Sequence, residues 1–314
     1  MSTLAGQLRA WWPSRASMVE DLQFTPREDF DYEEWMSPWK GYTLHYYGKE
    51  AIEDFDGYKW SRWTAQNWQI PIFAVVAYLV MIPVLRHLVV ERVNIKRFAV
   101  VWNCALSLFS FAGLAHCLPV LVGEMVGNGQ YFTICAPAPY YGGGWHGMFV
   151  ALFIYSKVLE LVDTALLLLS KRPVILLHWW HHVTVLLYCW HSYSVQIATG
   201  LYYATMNYLV HSLMYAYFAA TQTTLRQTVR PFAIYITLLQ LAQMVVGIYV
   251  TLRAILYQSS GRDCYVNKTN SILGLAMYSS YFPLFLKLFL ENYVFKQHKT
   301  IINNNPTAIT KKRD

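Results

Sequence analysis

Windows of about twenty apolar residues recur along this chain, and that repetition restricts the fold more than any other feature. A helix needs roughly 20 residues at 1.5 Å each to cross a hydrocarbon core of about 30 Å. Seven such windows can be placed, at 69–90, 98–118, 147–169, 174–191, 195–220, 231–257 and 271–293. Within hydrocarbon every backbone N–H and C=O must be satisfied inside the segment, so helices are expected there. The predicted fold is an all-α polytopic membrane protein with seven transmembrane helices. Composition agrees, with 14% charged residues against roughly 25% in soluble domains.

An odd number of spans puts the two ends on opposite sides of the membrane. Short cytoplasmic connections collect Lys and Arg. Here Arg86, Arg92, Lys96 and Arg97 follow the first window, Lys171 and Arg172 the third, and Arg226 and Arg230 the fifth. The tail adds Lys296, Lys299, Lys311, Lys312 and Arg313, whereas the connection after the sixth window holds only Arg262 and Lys268. The C-terminus is therefore expected in the cytosol and the N-terminus in the lumen. Residues 1–68 then form a luminal, acidic and aromatic-rich segment, with eleven of the eighteen acidic residues against seven basic ones. Residues 69–293 form the membrane domain and 294–314 a basic cytosolic tail.

The first residues lack the sustained apolar core of a cleavable signal peptide, which leaves targeting to the first apolar helix. Asn267-Lys268-Thr269 is a glycosylation sequon in a connection assigned to the lumen. The chain ends KKRD, with a dilysine at the spacing of an endoplasmic reticulum retrieval signal. Cys135 and Cys264 fall in predicted luminal connections, an oxidising side, and a disulfide between them is expected. Cys104, Cys117 and Cys189 fall in or beside helices, where the ordinary role is that of a small buried hydrophobe.

Polar side chains inside the windows are the chemical signal, because each needs an internal partner or a task in hydrocarbon. His178, His181 and His182 stand at i, i+3 and i+4, on one helical face. On the preceding window Lys157, Glu160, Asp163 and Thr164 form a second stripe at the same spacing. Asn207, His211, Met214 and Tyr215 form a third, and Thr237, Gln240 and Gln243 a fourth. Each residue alone could be an interhelical hydrogen-bond partner. Four consecutive helices with polar faces point instead to one shared cavity.

Two chemistries suit the histidines. One is metal ligation, as in the membrane histidine-box oxygenases (desaturases and hydroxylases), but those enzymes need several separated histidine boxes. This chain has ten histidines, and His45, His87, His116, His146 and His298 are scattered singly. The other is nucleophilic and acid-base chemistry by an imidazole, which has an ordinary pKa of about 6.5 and is mostly neutral near pH 7. A binding cavity of a transporter or receptor is a third reading, and Cys189, two turns after His182, is a rival nucleophile.

These stripes resemble the signature of the ELO family, the very-long-chain fatty acid elongases. Its KxxExxDT pattern is matched by Lys157, Glu160, Asp163 and Thr164, and HxxHH by His178, His181 and His182. NxxxHxxMYxYY is matched by Asn207, His211, Met214, Tyr215 and Tyr217, with Phe218 where a final Tyr is usual. Thr237, Gln240 and Gln243 match TxxQxxQ. The resemblance covers about residues 65–300 and is closest to the branch acting on saturated and monounsaturated chains.

The resemblance implies a seven-helix barrel around an acyl tunnel in the endoplasmic reticulum membrane. It also implies a 3-ketoacyl-CoA synthase that joins acyl-CoA to malonyl-CoA by a ping-pong acyl-imidazole route. His181 would carry the acyl group. His211 would stabilise the oxyanion or enolate, while His178, His182, Asn207, Asp163 and Gln240 orient rings and donate hydrogen bonds. Lys157, Glu160, Thr164, Tyr215 and Gln243 would line the substrate. Lys171, Arg172, Arg226 and Arg230 are candidates for the CoA phosphates. No metal and no organic cofactor is implied. The other enzymes of the elongation cycle are expected partners, a homo-oligomer is admitted, and nucleic acid is not expected.

Overall fold

The computed structural model describes residues 55–137 and 142–295. The dilysine tail and most of the acidic N-terminal segment lie outside the described residues. Among the described residues the regular structure is helical, with irregular connections and one isolated bridge between Asp56 and Gly143.

The first helix among the described residues, α1 (Gly57–Gln66), precedes every apolar window. Asp56 caps it, its carboxylate accepting from the Lys59 N–H at 3.0 Å. Trp190 Nε1 donates to the Thr64 carbonyl at 2.9 Å and Tyr193 Oη to the Gly57 carbonyl at 3.2 Å. The helix is thus held by tertiary contacts, and at 10 residues it is too short to be stable alone.

The helices that follow are α2 (Gln69–Leu88), α3 (Lys96–Cys135), α4 (Gly144–Leu159), α5 (Val162–Leu169), α6 (Leu176–Ser194) and α7 (Gly200–Thr221). A short α8 (Arg226–Val229) leads through one 3-10 turn into α9 (Ala233–Ser259), and α10 (Lys268–Phe289) ends in a π-helical turn, Leu290–Phe295. Among the described residues four segments are long and apolar enough to cross a membrane: Gln69–Leu88, Lys96–Cys135, Arg226–Ser259 and Lys268–Phe295. The 19-residue α6 and the 22-residue α7 have the length. Their His, Tyr and Ser residues lower their apolarity.

Neighbouring helices close on themselves. α3 packs on α7, α7 on α9, α9 on α10, α10 on α6, α6 on α4 and α4 on α3, with α2 against α5 and α6. One end carries a disulfide between Cys135 and Cys264. The opposite end carries Lys171, Arg172, Arg226 and Arg230.

Two boundaries differ from the sequence reading. The helix expected at 98–118 runs on to Cys135, so Cys135 ends a helix instead of sitting in a loop. The continuation LPVLVGEMVGNGQYFTIC buries Glu124, whose Oε2 accepts from Asn128 Nδ2 at 2.6 Å, and bends at Gly129, where φ is +83°. The window 147–169 is also broken. From Leu161 to Thr164 the bonds Leu161 N–H to Val158, Asp163 N–H to Glu160 and Thr164 N–H to Leu161 skip only three residues. This tightening separates α4 from α5 within the Lys157–Thr164 stripe.

Candidate active site

A cavity of about 500 Å³ opens among α3, α5, α6, α7, α9 and α10. All four polar stripes reach it or its wall. His178, His181 and His182 from α6 line it, as do Asn207, His211, Met214 and Tyr215 from α7. Glu160 and Asp163 face it from the α4–α5 break, and Thr237, Gln240 and Gln243 from α9.

The break between α4 and α5 sets the acidic side of the site. Lys157 and Glu160 are both buried and form an ion pair of 2.6 Å. Lys157 Nζ also donates to Asn207 Oδ1 at 2.9 Å, and its ammonium lies 4.2 Å from the centre of the Phe153 ring. Asn207 then donates from Nδ2 to His211 Nε2 at 3.1 Å. With that nitrogen accepting, His211 carries its proton on Nδ1, which faces Glu160 Oε1 at 3.6 Å. Two motifs are thus joined into one chain of polar contacts that fixes the tautomer and the orientation of His211.

Asp163 is held separately. Its two carboxylate oxygens accept from Trp102 Nε1 at 2.7 Å and from Tyr215 Oη at 2.6 Å. The Tyr215 ring lies against His211 with centroids 5.3 Å apart. Thr164 bonds Tyr78 Oη at 2.9 Å and His178 Nε2 at 2.8 Å, so the first apolar helix holds the first histidine of the triplet.

The three rings of the triplet are not equivalent. His178 is bonded to Thr164. His182 is buried between its neighbours, edge-on to His178 at 4.6 Å and to His181 at 5.4 Å, and its Nδ1 has no hydrogen-bond partner among the described residues. His181 lines the cavity and packs 5.2 Å from the Tyr281 ring, while Tyr281 Oη donates to its backbone carbonyl at 3.3 Å. Its imidazole is therefore positioned by packing and by its backbone, and its ring nitrogens make no hydrogen bond among the described residues.

Several expected substrate residues lie one layer behind the cavity wall. Lys157 and Thr164 touch Glu160, Asn207 and His178 instead of the cavity. Of the four basic candidates Arg172 lines the cavity mouth, whereas Lys171, Arg226 and Arg230 do not. Cys189 is buried and does not line the cavity. Gln240 Nε2 lies 3.4 Å from Met214 Sδ, and Thr237 Oγ1 lies 3.4 Å from Tyr293 Oη.

Tyr78, Trp102, Asn103 and Tyr281 were not singled out by the sequence. Trp102-Asn103, two hydrogen-bonding side chains in an apolar window, was the signal available for α3. The two tyrosines carry no local signal, since the sequence holds 24 tyrosines.

The chain matches the family model described as the GNS1/SUR4 family, ELO, over residues 63–301. It is similar to a protein named Fatty acid elongase 3 of Trypanosoma brucei brucei, 36% identical over 292 residues, covering 83% of this chain and 96% of that one. It is 39% identical over 252 residues to a protein named Very long chain fatty acid elongase 4 of Trypanosoma cruzi, covering 78% of this chain and 87% of that one. With a protein named Very long chain fatty acid elongase 6 of Drosophila melanogaster the identity is 34% over 245 residues, 77% of each chain.

Proposed function

This chain belongs to the ELO family and is a membrane-embedded fatty acid elongase, a 3-oxoacyl-CoA synthase acting on acyl-CoA and malonyl-CoA, and from that premise we propose how its cavity performs the condensation. The observation that carries the mechanism is the convergence of four polar stripes on one cavity, with His181 as the histidine whose imidazole is left to the ligand. The histidine-box oxygenase reading is not favoured by relatives named as elongases.

In the first half-reaction an imidazole nitrogen of His181 attacks the thioester carbonyl. The C–N bond forms, the C–S bond breaks, and the CoA thiolate leaves with the proton that the acylated ring gives up. In the second, malonyl-CoA loses carbon dioxide and the electron pair of that bond passes to the α-carbon. The enolate carbon attacks the acyl-imidazole, the C–N bond breaks, and the imidazole takes up a proton as it leaves.

His211, set by Asn207 and Glu160, faces the same centre and stabilises the negative oxygen in each half. His182 and His178 fix the plane of the reacting ring, Asp163 holds Tyr215, and Gln240 and Gln243 bond the substrate. Arg172 at the mouth takes a CoA phosphate, with Lys171, Arg226 and Arg230 adding positive charge at that end. No metal and no organic cofactor takes part.

The same reading gives the chain seven spans, 69–293, forming a barrel around an acyl tunnel in the endoplasmic reticulum membrane. The basic end and tail are cytosolic, while the disulfide, Asn267 and the segment 1–68 are luminal. Saturated or monounsaturated chains are the substrates, and the enzymes that reduce and dehydrate the product are neighbours.

The test is single turnover. Purified protein incubated with acyl-CoA and no malonyl-CoA is expected to release one CoA per chain and to carry an acyl adduct on His181. An adduct on Cys189, or turnover only when both substrates are present, would sink the acyl-imidazole route.

A further inference from the structure

The lining of the cavity ends short of the disulfide end of the bundle. Its last residues there include His182 and Met244. Beyond them the space between α6, α7, α9 and α10 is filled by Tyr188, Tyr203 and Tyr278, all buried and none lining the cavity. Tyr203 links the other two, with ring centroids 6.3 Å from Tyr188 and 5.5 Å from Tyr278.

This layer is fixed by more than contact. Tyr203 Oη bonds Thr251 Oγ1 on α9 at 2.7 Å. Tyr278 lies in a notch at Gly247, where a Cβ would stand 2.6 Å from its ring, and Tyr188 Oη fills the equivalent notch at Gly274. The glycines admit these rings at van der Waals distance and leave no room for another side chain. By contrast Met244, one turn before Gly247 on the same face, ends the cavity with an unbranched chain that can yield.

The distance from the reacting centre follows from helix geometry. Tyr188 is seven residues beyond His181, and Tyr203 eight residues before His211, which at 1.5 Å per residue is roughly 10 to 12 Å toward the disulfide end. An extended covalent chain advances about 1.2 Å per bond. An acyl chain held at His181 therefore meets the tyrosines after about eight to ten bonds.

We propose that Tyr188, Tyr203 and Tyr278 form the floor of the acyl site, so that the enzyme accepts medium-chain acyl-CoA of up to about ten carbons and excludes palmitoyl-like chains. This rests on the acyl-imidazole reading above. A ruler at this position measures from the reacting atom, so each condensation brings the product closer to the limit. When the chain end meets the floor, the carbonyl no longer reaches His181 and extension stops.

The test compares the full-length protein in nanodiscs with Tyr188→Leu and Tyr278→Leu variants. Each is given malonyl-CoA and a series of acyl-CoAs from butyryl to stearoyl, and CoA release and product masses are recorded. The wild-type enzyme is expected to lose at least tenfold in kcat/KM between decanoyl- and palmitoyl-CoA. Each variant is expected to move that limit at least one condensation further while still releasing CoA from short chains.

Efficient use of palmitoyl-CoA by the wild-type protein overturns the floor, as does an unchanged limit in variants that turn over short chains. Should a leucine variant fold poorly, Thr251→Val removes the bond to Tyr203 without changing side-chain volume. It is expected to raise relative use of chains just beyond the limit, and an unaltered profile counts against a fixed floor. Absence of CoA release from every acyl-CoA overturns the acyl-imidazole reading itself, whereas normal release with an unshifted limit overturns only the floor.

Discussion

Lys157 and Glu160 form a buried ion pair that is tied to Asn207 and His211. Removing one partner leaves a charge in a low-dielectric interior, which costs about 3 to 5 kcal/mol, whereas replacing both by apolar residues is often nearly neutral. Lys157→Met is expected to lower the thermal midpoint in detergent sharply. The double change Lys157→Met with Glu160→Leu should recover much of that loss without recovering condensation, because His211 loses the carboxylate facing Nδ1. Asp163 gives a second case. Asp163→Asn sets an NH2 against Trp102 Nε1–H or Tyr215 Oη–H, and about 1 to 3 kcal/mol is expected to be lost. Tyr215→Phe in that background should add less than it does alone, since both changes break one contact. Stability measurements on the four proteins of this cycle decide it, and full additivity would separate the two side chains. What could be read at this scale follows spacing. His178, His181 and His182 share a face by arithmetic, and so do Asn207 and His211. Trp102 could not be read as the partner of Asp163, nor Tyr78 of Thr164, because 61 and 86 residues separate them and only tertiary packing brings them together.

Helix ends carry their own chemistry here. Asn267 is the N-cap of α10, its Oδ1 accepting from the Asn270 N–H at 2.9 Å, and it is also the asparagine of the sequon. The two roles use different atoms, since a glycan bonds Nδ2 and leaves Oδ1 to the cap. Asn267→Asp is expected to keep α10 capped while abolishing any glycan, and Asn267→Ala to lose both, with about 1 kcal/mol of stability. Equal midpoints for the two variants would show that the cap contributes nothing. Elements were legible where hydropathy was uniform, as in α2, α9 and α10. They were misread where polar residues interrupt it. Glu124 and the glycines after it looked like a loop but belong to α3, because Asn128 pairs with Glu124 one turn on. The α4–α5 break was hidden inside an unbroken apolar run, since the feature that makes it is a local shift to three-residue hydrogen bonds at Glu160 and Leu161.

At the scale of the whole molecule the described charges are sorted by end. Arg172 lines the cavity mouth and the connection Arg226–Arg230 lies at the same end of the bundle, while the Cys135–Cys264 disulfide and Asn267 lie at the opposite end, beside the docked α1. A CoA substrate carries its negative charge in phosphates, so the proposed function has the open basic end face the compartment that supplies it. A disulfide persists only on an oxidising side. Both requirements are met by one orientation, and in sealed microsomes an epitope placed after Asp314 is expected to be digested by added protease while Cys135–Cys264 resists a membrane-impermeant reductant. The reverse pattern would place the cavity mouth in the lumen and remove its access to cytosolic acyl-CoA. The disulfide closes a separation of 129 residues, for which a free chain would suggest a stabilisation of about 4 to 5 kcal/mol. In a bilayer the unfolded reference already holds its helices inserted, so far less chain entropy remains to be removed. Cys135→Ser with Cys264→Ser is therefore expected to lower stability by no more than about 2 kcal/mol and to leave single-turnover CoA release intact, because the bond lies at the far end of the bundle from the cavity mouth. A larger loss of stability, or failure of acyl transfer, would mean that the disulfide end positions the catalytic helices directly.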